Sequence, residues 1–421
     1  LAKKKPALAK SAIIYTIVIT IIVNLVTIGI IYLLASYLSI HFFHTEKAEP
    51  ILKLLALAFF AESFFFVVKN AFQGFKNMFL FSGIDVVRIV CILTILMIGF
   101  HYLDGILVPV LAYLISSLIV FTIFFIILKK RVFADWSKYT FSINRPLMRK
   151  MFKYGLIVFT SGASASILGY TDTLLLTYFS GLTQVALYNV ALPLSKLMLY
   201  VGVSIGSILL PLTAEMYASK KILLVQEGLQ SIYKYVMIAI MPVVAIMLFF
   251  ATLIISLLFG TKFTAASGAL QILSIAMFFG ILQLVHMNFF MGINKPKTHA
   301  KIFFVGAGMN LLLCVILIPR FDMIGAAIAT LASYLVMMIW GILEVKKIIG
   351  IEFPWLLSAK ILLSSVLFLV SMWILKRIII LPVWFEAFAV VSFSSIVYAA
   401  ALFLLKVVTI KEIKSVVQRI L

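Results

Sequence analysis

The segment Leu52-Lys53-Leu54-Leu55-Ala56-Leu57-Ala58-Phe59-Phe60 returns 218 positions later as Leu270-Gln271-Ile272-Leu273-Ser274-Ile275-Ala276-Met277-Phe278. The match continues without a gap: Phe72 and Gly74 meet Phe290 and Gly292, Asp104 meets Asp322, and Lys129 meets Lys347. Apolar stretches resemble one another by composition alone. Coincident glycine turns, aspartate loops and closing Lys-Lys pairs instead mark an internal repeat. The repeated block spans three apolar runs, so the chain is organised as two related lobes.

The solvent of those lobes is lipid. Of 421 residues, 64% are hydrophobic and only 12% charged, and the mean hydropathy is +1.22. A soluble domain carries about a quarter charged residues, so a water-soluble globular protein is excluded. At ~20 apolar residues per crossing, the chain holds about a dozen spans. Apolar runs bounded by charge, Gly or Pro place them at 12–40, 51–72, 79–100, 103–128, 152–178, 184–214, 232–259, 265–291, 299–318, 322–343, 357–375 and 379–405. The repeat makes the second to fourth spans equivalent to the eighth to tenth. Corresponding spans start on the same side of the membrane, so the repeats are parallel.

A net charge of +21 suggests nucleic acid in a soluble protein and topology in a membrane protein. If the spans alternate strictly, 27 of the 35 Lys and Arg fall on one side and six on the other, with Arg88 and Lys196 inside spans. The positive-inside rule makes the rich side cytoplasmic, which predicts cytoplasmic termini, a cell-membrane location and no nucleic-acid partner. The resulting organisation is a first lobe at 1–128, a cationic linker at 129–151, a second lobe at 152–345, two further helices at 346–406 and a tail at 407–421. In that tail Val408, Ile410, Ile413, Val416, Val417 and Ile420 alternate with Lys411, Lys414 and Arg419, the pattern of an amphipathic helix on anionic lipid. The chain opens on Leu1 rather than Met. The repeat leaves the fifth and sixth spans without partners, so two further spans are expected before the first. Cys91 and Cys314 lie in apolar runs, and the five His have no metal spacing, so no disulfide or metal site is expected.

The stretches Gly169-Tyr170-Thr171-Asp172-Thr173-Leu174-Leu175-Leu176-Thr177-Tyr178-Phe179-Ser180-Gly181, Val185-Ala186-Leu187-Tyr188-Asn189-Val190-Ala191, Gly292-Ile293-Asn294-Lys295-Pro296-Lys297 and Ile318-Pro319-Arg320-Phe321-Asp322 through Gly325-Ala326-Ala327 resemble the polysaccharide transporter branch of the multidrug/oligosaccharidyl-lipid/polysaccharide exporter superfamily. These blocks cover about residues 150–345; the first lobe matches through the repeat and its spacing. The resemblance implies an all-α, fourteen-helix exporter fold lacking its first two helices here. It also implies a flippase that moves undecaprenyl-diphosphate-linked oligosaccharide repeat units to the outer leaflet by alternating access, for O-antigen or other envelope glycans. Its partners would be the lipid-linked oligosaccharide, membrane lipids, and a glycan polymerase or other envelope-assembly proteins.

Ionisable groups at bilayer depth are functional candidates by default. Arg88, near the middle of the third span, is a candidate for binding a diphosphate; Asp85 one turn before it has the spacing of an intrahelical ion pair, the alternative reading. Lys196, deep in the sixth span, has no acid three or four residues away, and is the leading candidate for binding a diphosphate. Asp172 and Glu62 are candidates for pairing with such cations or for taking up a coupling ion. Lys53, Lys69 and Lys153 sit near span ends, where snorkelling explains them. The small run Ser161–Ser166 and the Gly202/Gly206 pair between Pro193 and Pro211 fit either close packing or a flexing gate. His286, Asn24, Asn288 and Asn310 read as interhelical hydrogen-bond partners. There is no phosphate-binding loop for ATP and no catalytic constellation, so no enzyme and no cofactor is expected. An H+ or Na+ gradient or the membrane potential remains as the energy source. Competing readings are a cation-coupled multidrug exporter of the same superfamily, a membrane glycosyltransferase or polymerase, and an inactive truncated module.

Overall fold

A computed structural model describes residues 6–75, 77–102, 105–133, 136, 138–139 and 144–409, excepting the side chains of Pro6, Lys150, Lys153, Tyr154, residues 156–168 and Ser207. Lys3, Lys4, Lys5, Lys76, Asp104 and most of the amphipathic tail lie outside the described residues, as do the side chains of Lys153 and the run Ser161–Ser166.

Among the described residues eleven α-helices follow one another: α1 (Pro6–His41), α2 (Ala48–Gly74), α3 (Met78–Tyr102), α4 (Leu107–Ile127), α5 (Arg145–Lys196), α6 (Leu199–Ala218), α7 (Ile222–Phe259), α8 (Ser267–Gly292), α9 (Pro296–Ile349), α10 (Trp355–Ile378) and α11 (Val383–Leu404). No strand occurs among the described residues. In hydrocarbon each backbone polar group must be satisfied within its own segment, and the helix does so. Ten stretches of the described chain are long and apolar enough to cross a membrane, two of them 50 and 54 residues long. At 1.5 Å per residue those two far exceed a ~30 Å hydrocarbon core. Each breaks internally, at Gly181 (φ 79°) and Asp322 (φ 49°). Counting both halves restores the twelve expected crossings, and the chain is a multi-pass membrane protein. Its outward faces are apolar, with Leu33, Phe79 and Ile380 85%, 87% and 92% exposed, as a lipid solvent demands.

The repeat is visible in the helix boundaries. Adding 218 to the starts of α2 and α3 gives the starts of α8 and α9 to within one residue, and α2 and α8 both end on the matched glycines Gly74 and Gly292.

By contacts the chain divides into two units, residues 1–167 and 168–421. In the first, α2 packs against α1, α3 and α4, burying Phe65, Phe72, Ile84, Val120, Phe124 and Leu128. Past α4 a π-turn, Leu128–Val132, leads into a connector that Lys10 of α1 holds by donating to the carbonyls of Trp136 and Tyr139 at 2.8 and 2.6 Å. In the second, α8 is the central post, packed by α6, α7 and α9. Small residues let the neighbours close in: Gly202 lies against Ile281 and Leu284, Gly206 against Asn288, and Gly341 against His286. The Gly202/Gly206 pair of α6 is thus occupied in close packing on α8. His286 shares a 2.8 Å hydrogen bond with Tyr233 of α7, and Asn24 donates to Ser63 at 3.0 Å. Both are the interhelical partners expected, whereas Asn288 donates within its own helix, to the Leu284 carbonyl.

Candidate functional site

Among the described residues, the ionisable side chains singled out at membrane depth fall in three clusters. The first is a two-rung ladder within unit one. Glu62 and Lys69 lie two turns apart on α2, and Asp85 and Arg88 one turn apart on α3. Arg88 Nη2 donates to Glu62 Oε1 at 2.7 Å, and Lys69 Nζ donates to the Asp85 carboxylate at 2.6 and 2.8 Å. The expected intrahelical Asp85–Arg88 pair is therefore replaced by two interhelical pairs. The cause is geometric: the antiparallel helices place an opposite charge directly across from each member. Lys69 is consumed in this ladder rather than reaching for headgroups, and Lys53 pairs with Glu49 at 2.6 Å. The Arg88 guanidinium also lies 4.6 Å from the Phe65 ring and 5.6 Å from that of Tyr113, a cation–π setting that holds its plane.

The second cluster is the α5–α6 junction in unit two. Pro193 cannot donate a backbone hydrogen bond, and the chain here tightens: Met198 N donates to the Ser195 carbonyl, Tyr200 N to Leu197 and Val201 N to Met198, all three-residue bonds of 3.2–3.3 Å. Lys196 sits on this break, exposed. Among the described residues no carboxylate lies within ion-pair distance of it. Interrupted helices carry the substrate and ion sites of many transporters, and an ionisable residue inside a span is a functional candidate by default.

The third cluster surrounds Asp172 in unit two. The Tyr188 hydroxyl donates to Oδ2 at 3.0 Å, the Thr330 hydroxyl to the same oxygen at 2.8 Å, and the Cys314 thiol to Oδ1 at 3.4 Å. Asn310 donates to Thr330 at 3.4 Å and accepts from Cys314 at 3.9 Å. The Gly181 break folds Tyr188 back onto Asp172, and the two halves of α9, turning at Asp322, bring Asn310 and Cys314 together with Thr330. Among the described residues no cation pairs with Asp172, and its hydrogen-bond partners there are neutral. Among the described residues there is no group of three His, Cys, Asp or Glu that would hold a metal.

A family model described as polysaccharide biosynthesis protein matches residues 3–268. The chain belongs to that family. The chain is similar to the "Uncharacterized membrane protein MJ1068" of Methanocaldococcus jannaschii, at 30% identity over all of this chain and 85% of the relative. It is also similar to the "Probable low-salt glycan biosynthesis flippase Agl15" of Haloferax volcanii, at 24% identity over 55% of this chain and 51% of the relative. In fold it is similar to the structure of the lipid II flippase MurJ in an inward closed conformation, with a TM-score of 0.76 over 95% of this chain and 84% of that one, at 16% identity. An inward-facing multidrug resistance transporter of the MATE family gives 0.65 over 80% and 81%, also at 16%. In fold the chain is thus similar to transporters that include one of the superfamily to which the second-lobe motifs pointed.

Sequence reasoning singled out Asp172, Glu62, Asp85, Arg88 and Lys196, but not Tyr188, Thr330 or Cys314. Asn310 and Cys314 stand four apart in an apolar run, the spacing of one helix face, and that was the available signal. Thr330 is 158 residues from Asp172, and no local pattern links them.

Proposed function

We propose that the chain is a transporter, and that it flips an oligosaccharide carried on a polyprenyl diphosphate such as undecaprenyl diphosphate from the cytoplasmic to the outer leaflet. The observation that carries this is Lys196: a cation at a broken span, unneutralised by any described carboxylate, in a member of a polysaccharide biosynthesis family. A diphosphate headgroup must lose water to cross, and Lys or Arg donors at depth replace that hydration with charge-assisted hydrogen bonds. Arg88 is the second cation at depth, in unit one, where it is paired with Glu62. A groove of about 450 Å3 between α1 and α2, lined in part by Thr16, Thr20, Ser63 and Asn70, offers the neutral hydroxyls and amides that sugar hydroxyls prefer.

Coupling is assigned to Asp172. A carboxylate ringed by hydroxyl, thiol and amide groups suits uptake of a proton or Na+, and its ligands lie on α5 and on both halves of α9, so occupancy biases the arrangement of those rods. The cation distribution supports cytoplasmic placement of the end at which α2 finishes. A multidrug exporter would export cationic drugs and would not need Lys196. The test is complementation: cells depleted of their own repeat-unit flippase should export glycan again with this protein and fail with Lys196→Ala. Drug resistance without glycan export would defeat the assignment.

A further inference from the structure

The Glu62–Arg88 pair is incompletely made. Glu62 engages Nη2 alone, and Nε of Arg88 is buried without a hydrogen-bond partner among the described atoms. A guanidinium is a planar fork built for two parallel bonds to a carboxylate or phosphate, and a buried donor left unmade is costly. The side chains of Arg88 and Glu62 keep 13% and 22% of their surface accessible, so the fork is sheltered but reachable.

The internal repeat supplies a control. The offset of 218 carries Glu62 onto Gly280 and Arg88 onto Gly306. In unit two those positions serve packing: Gly306 receives Met337, and a Cβ on Gly280 would meet Leu199 and Tyr334 at 3.4 and 3.5 Å. Three equivalent rods therefore assemble with no ion pair at this place. Charges at bilayer depth are expensive, and one copy of the repeat carries a pair where the other packs side chains onto glycines.

We infer that Arg88 is a receptor for a diphosphate group and that Glu62 is its resident counter-anion, an internal competitor that the diphosphate displaces. The inference rests on the transport reading above and adds to it a role for Glu62. With Glu62 in place, the empty carrier never presents a naked guanidinium to lipid, and Phe65 and Tyr113 keep the fork oriented. An incoming diphosphate offers more oxygens and more charge than one carboxylate oxygen, so it takes the fork. Glu62 swings to its accessible side and competes for return, which speeds release. Glu62 thus weakens equilibrium binding, the opposite of what a merely structural partner or a direct ligand would do.

The test is binding of farnesyl diphosphate, with farnesol as the uncharged control, to the purified full chain in lipid nanodiscs. The expected result is roughly tenfold tighter diphosphate binding in Glu62→Gln, a one-decade shift, with Glu62→Asp tightening it by a smaller factor. Arg88→Ala should erase the gain in the double variant. In thermal unfolding, diphosphate should raise the midpoint of Glu62→Gln more than that of wild type, a readout that also covers a variant weakened in its empty state. Unchanged or weaker binding in Glu62→Gln and Glu62→Asp, while Lys196→Ala loses binding, overturns the role of Glu62 and leaves the transport reading standing. Absence of diphosphate binding over farnesol in wild type and every variant overturns both.

Discussion

Asp172 shows how a single residue can be readable in sequence while its surroundings are not. Its position within an apolar span marked it at once, because an ionisable group in lipid needs a reason. The three side chains that hold it come from a broken helix and from a helix more than a hundred residues away, and only the fold brings them together. Two substitutions separate its roles. Asp172→Asn keeps oxygen for the Tyr188 and Thr330 hydroxyls but loses the charge; it is expected to leave the folded protein near wild-type stability while transport in proteoliposomes stops responding to an imposed H+ or Na+ gradient. Asp172→Ala strands those donors, at ~1–3 kcal/mol each, and should lower the thermal midpoint as well. A gradient response intact in Asp172→Asn would remove this residue from coupling. Arg88 gives the complementary lesson: one-turn spacing named Asp85 as its partner, whereas the antiparallel neighbour supplied Glu62. Spacing along one helix is visible in a sequence, but which residue lies across from it depends on the tilt and depth of two helices.

The helices themselves were largely legible, since length, apolarity and bounding Gly or Pro fix where a span starts and stops. Their interruptions were legible in part. The breaks at Gly181 and Asp322 fall where the apolar runs pause, while the tightened turn at 195–201 is announced only by Pro193. Gly181 adopts φ 79° and ψ 177°, a region open essentially to Gly alone in which another residue costs about 1–3 kcal/mol, so Gly181→Ala should lower the unfolding midpoint and disturb the Tyr188–Asp172 contact. Pro193→Ala should do the reverse. Removing a helix-interior proline relieves up to ~3 kcal/mol, restoring a backbone donor toward the Asn189 carbonyl and straightening the approach to the break, and is expected to raise stability while slowing transport several-fold. A Pro193→Ala variant that transports at the wild-type rate would show that the break beside Lys196 is incidental. The repeat was the most informative element-level signal, because one offset matched helix starts to within a residue. It also exposed a difference that neither copy reveals alone, an ion pair in one lobe against glycines in the other.

For the molecule as a whole, composition alone excluded water as the solvent, and the sorting of cations predicted its orientation. That orientation is open to a direct check: a single cysteine placed at Lys262 should react with an impermeant maleimide added outside intact cells, and one at Lys297 only after permeabilisation. Reversed labelling would invert the direction of transport proposed above. What composition does not carry is the cargo, because scaffold motifs specify how helices pack, and substrate choice rests on a few side chains whose neighbours are set by folding. The central claim is that this polysaccharide biosynthesis family member carries a diphosphate-linked glycan on cations held at membrane depth. Its most direct test is the movement of a fluorescent polyprenyl-diphosphate oligosaccharide across liposomes containing the purified protein, followed by quenching from outside. The wild type should flip it, Lys196→Ala should do so at least about tenfold more slowly, as loss of one charge-assisted contact implies, and the matching uncharged prenyl glycoside should stay in place. Equal rates for wild type and Lys196→Ala, or equal movement of the uncharged glycoside, would contradict it.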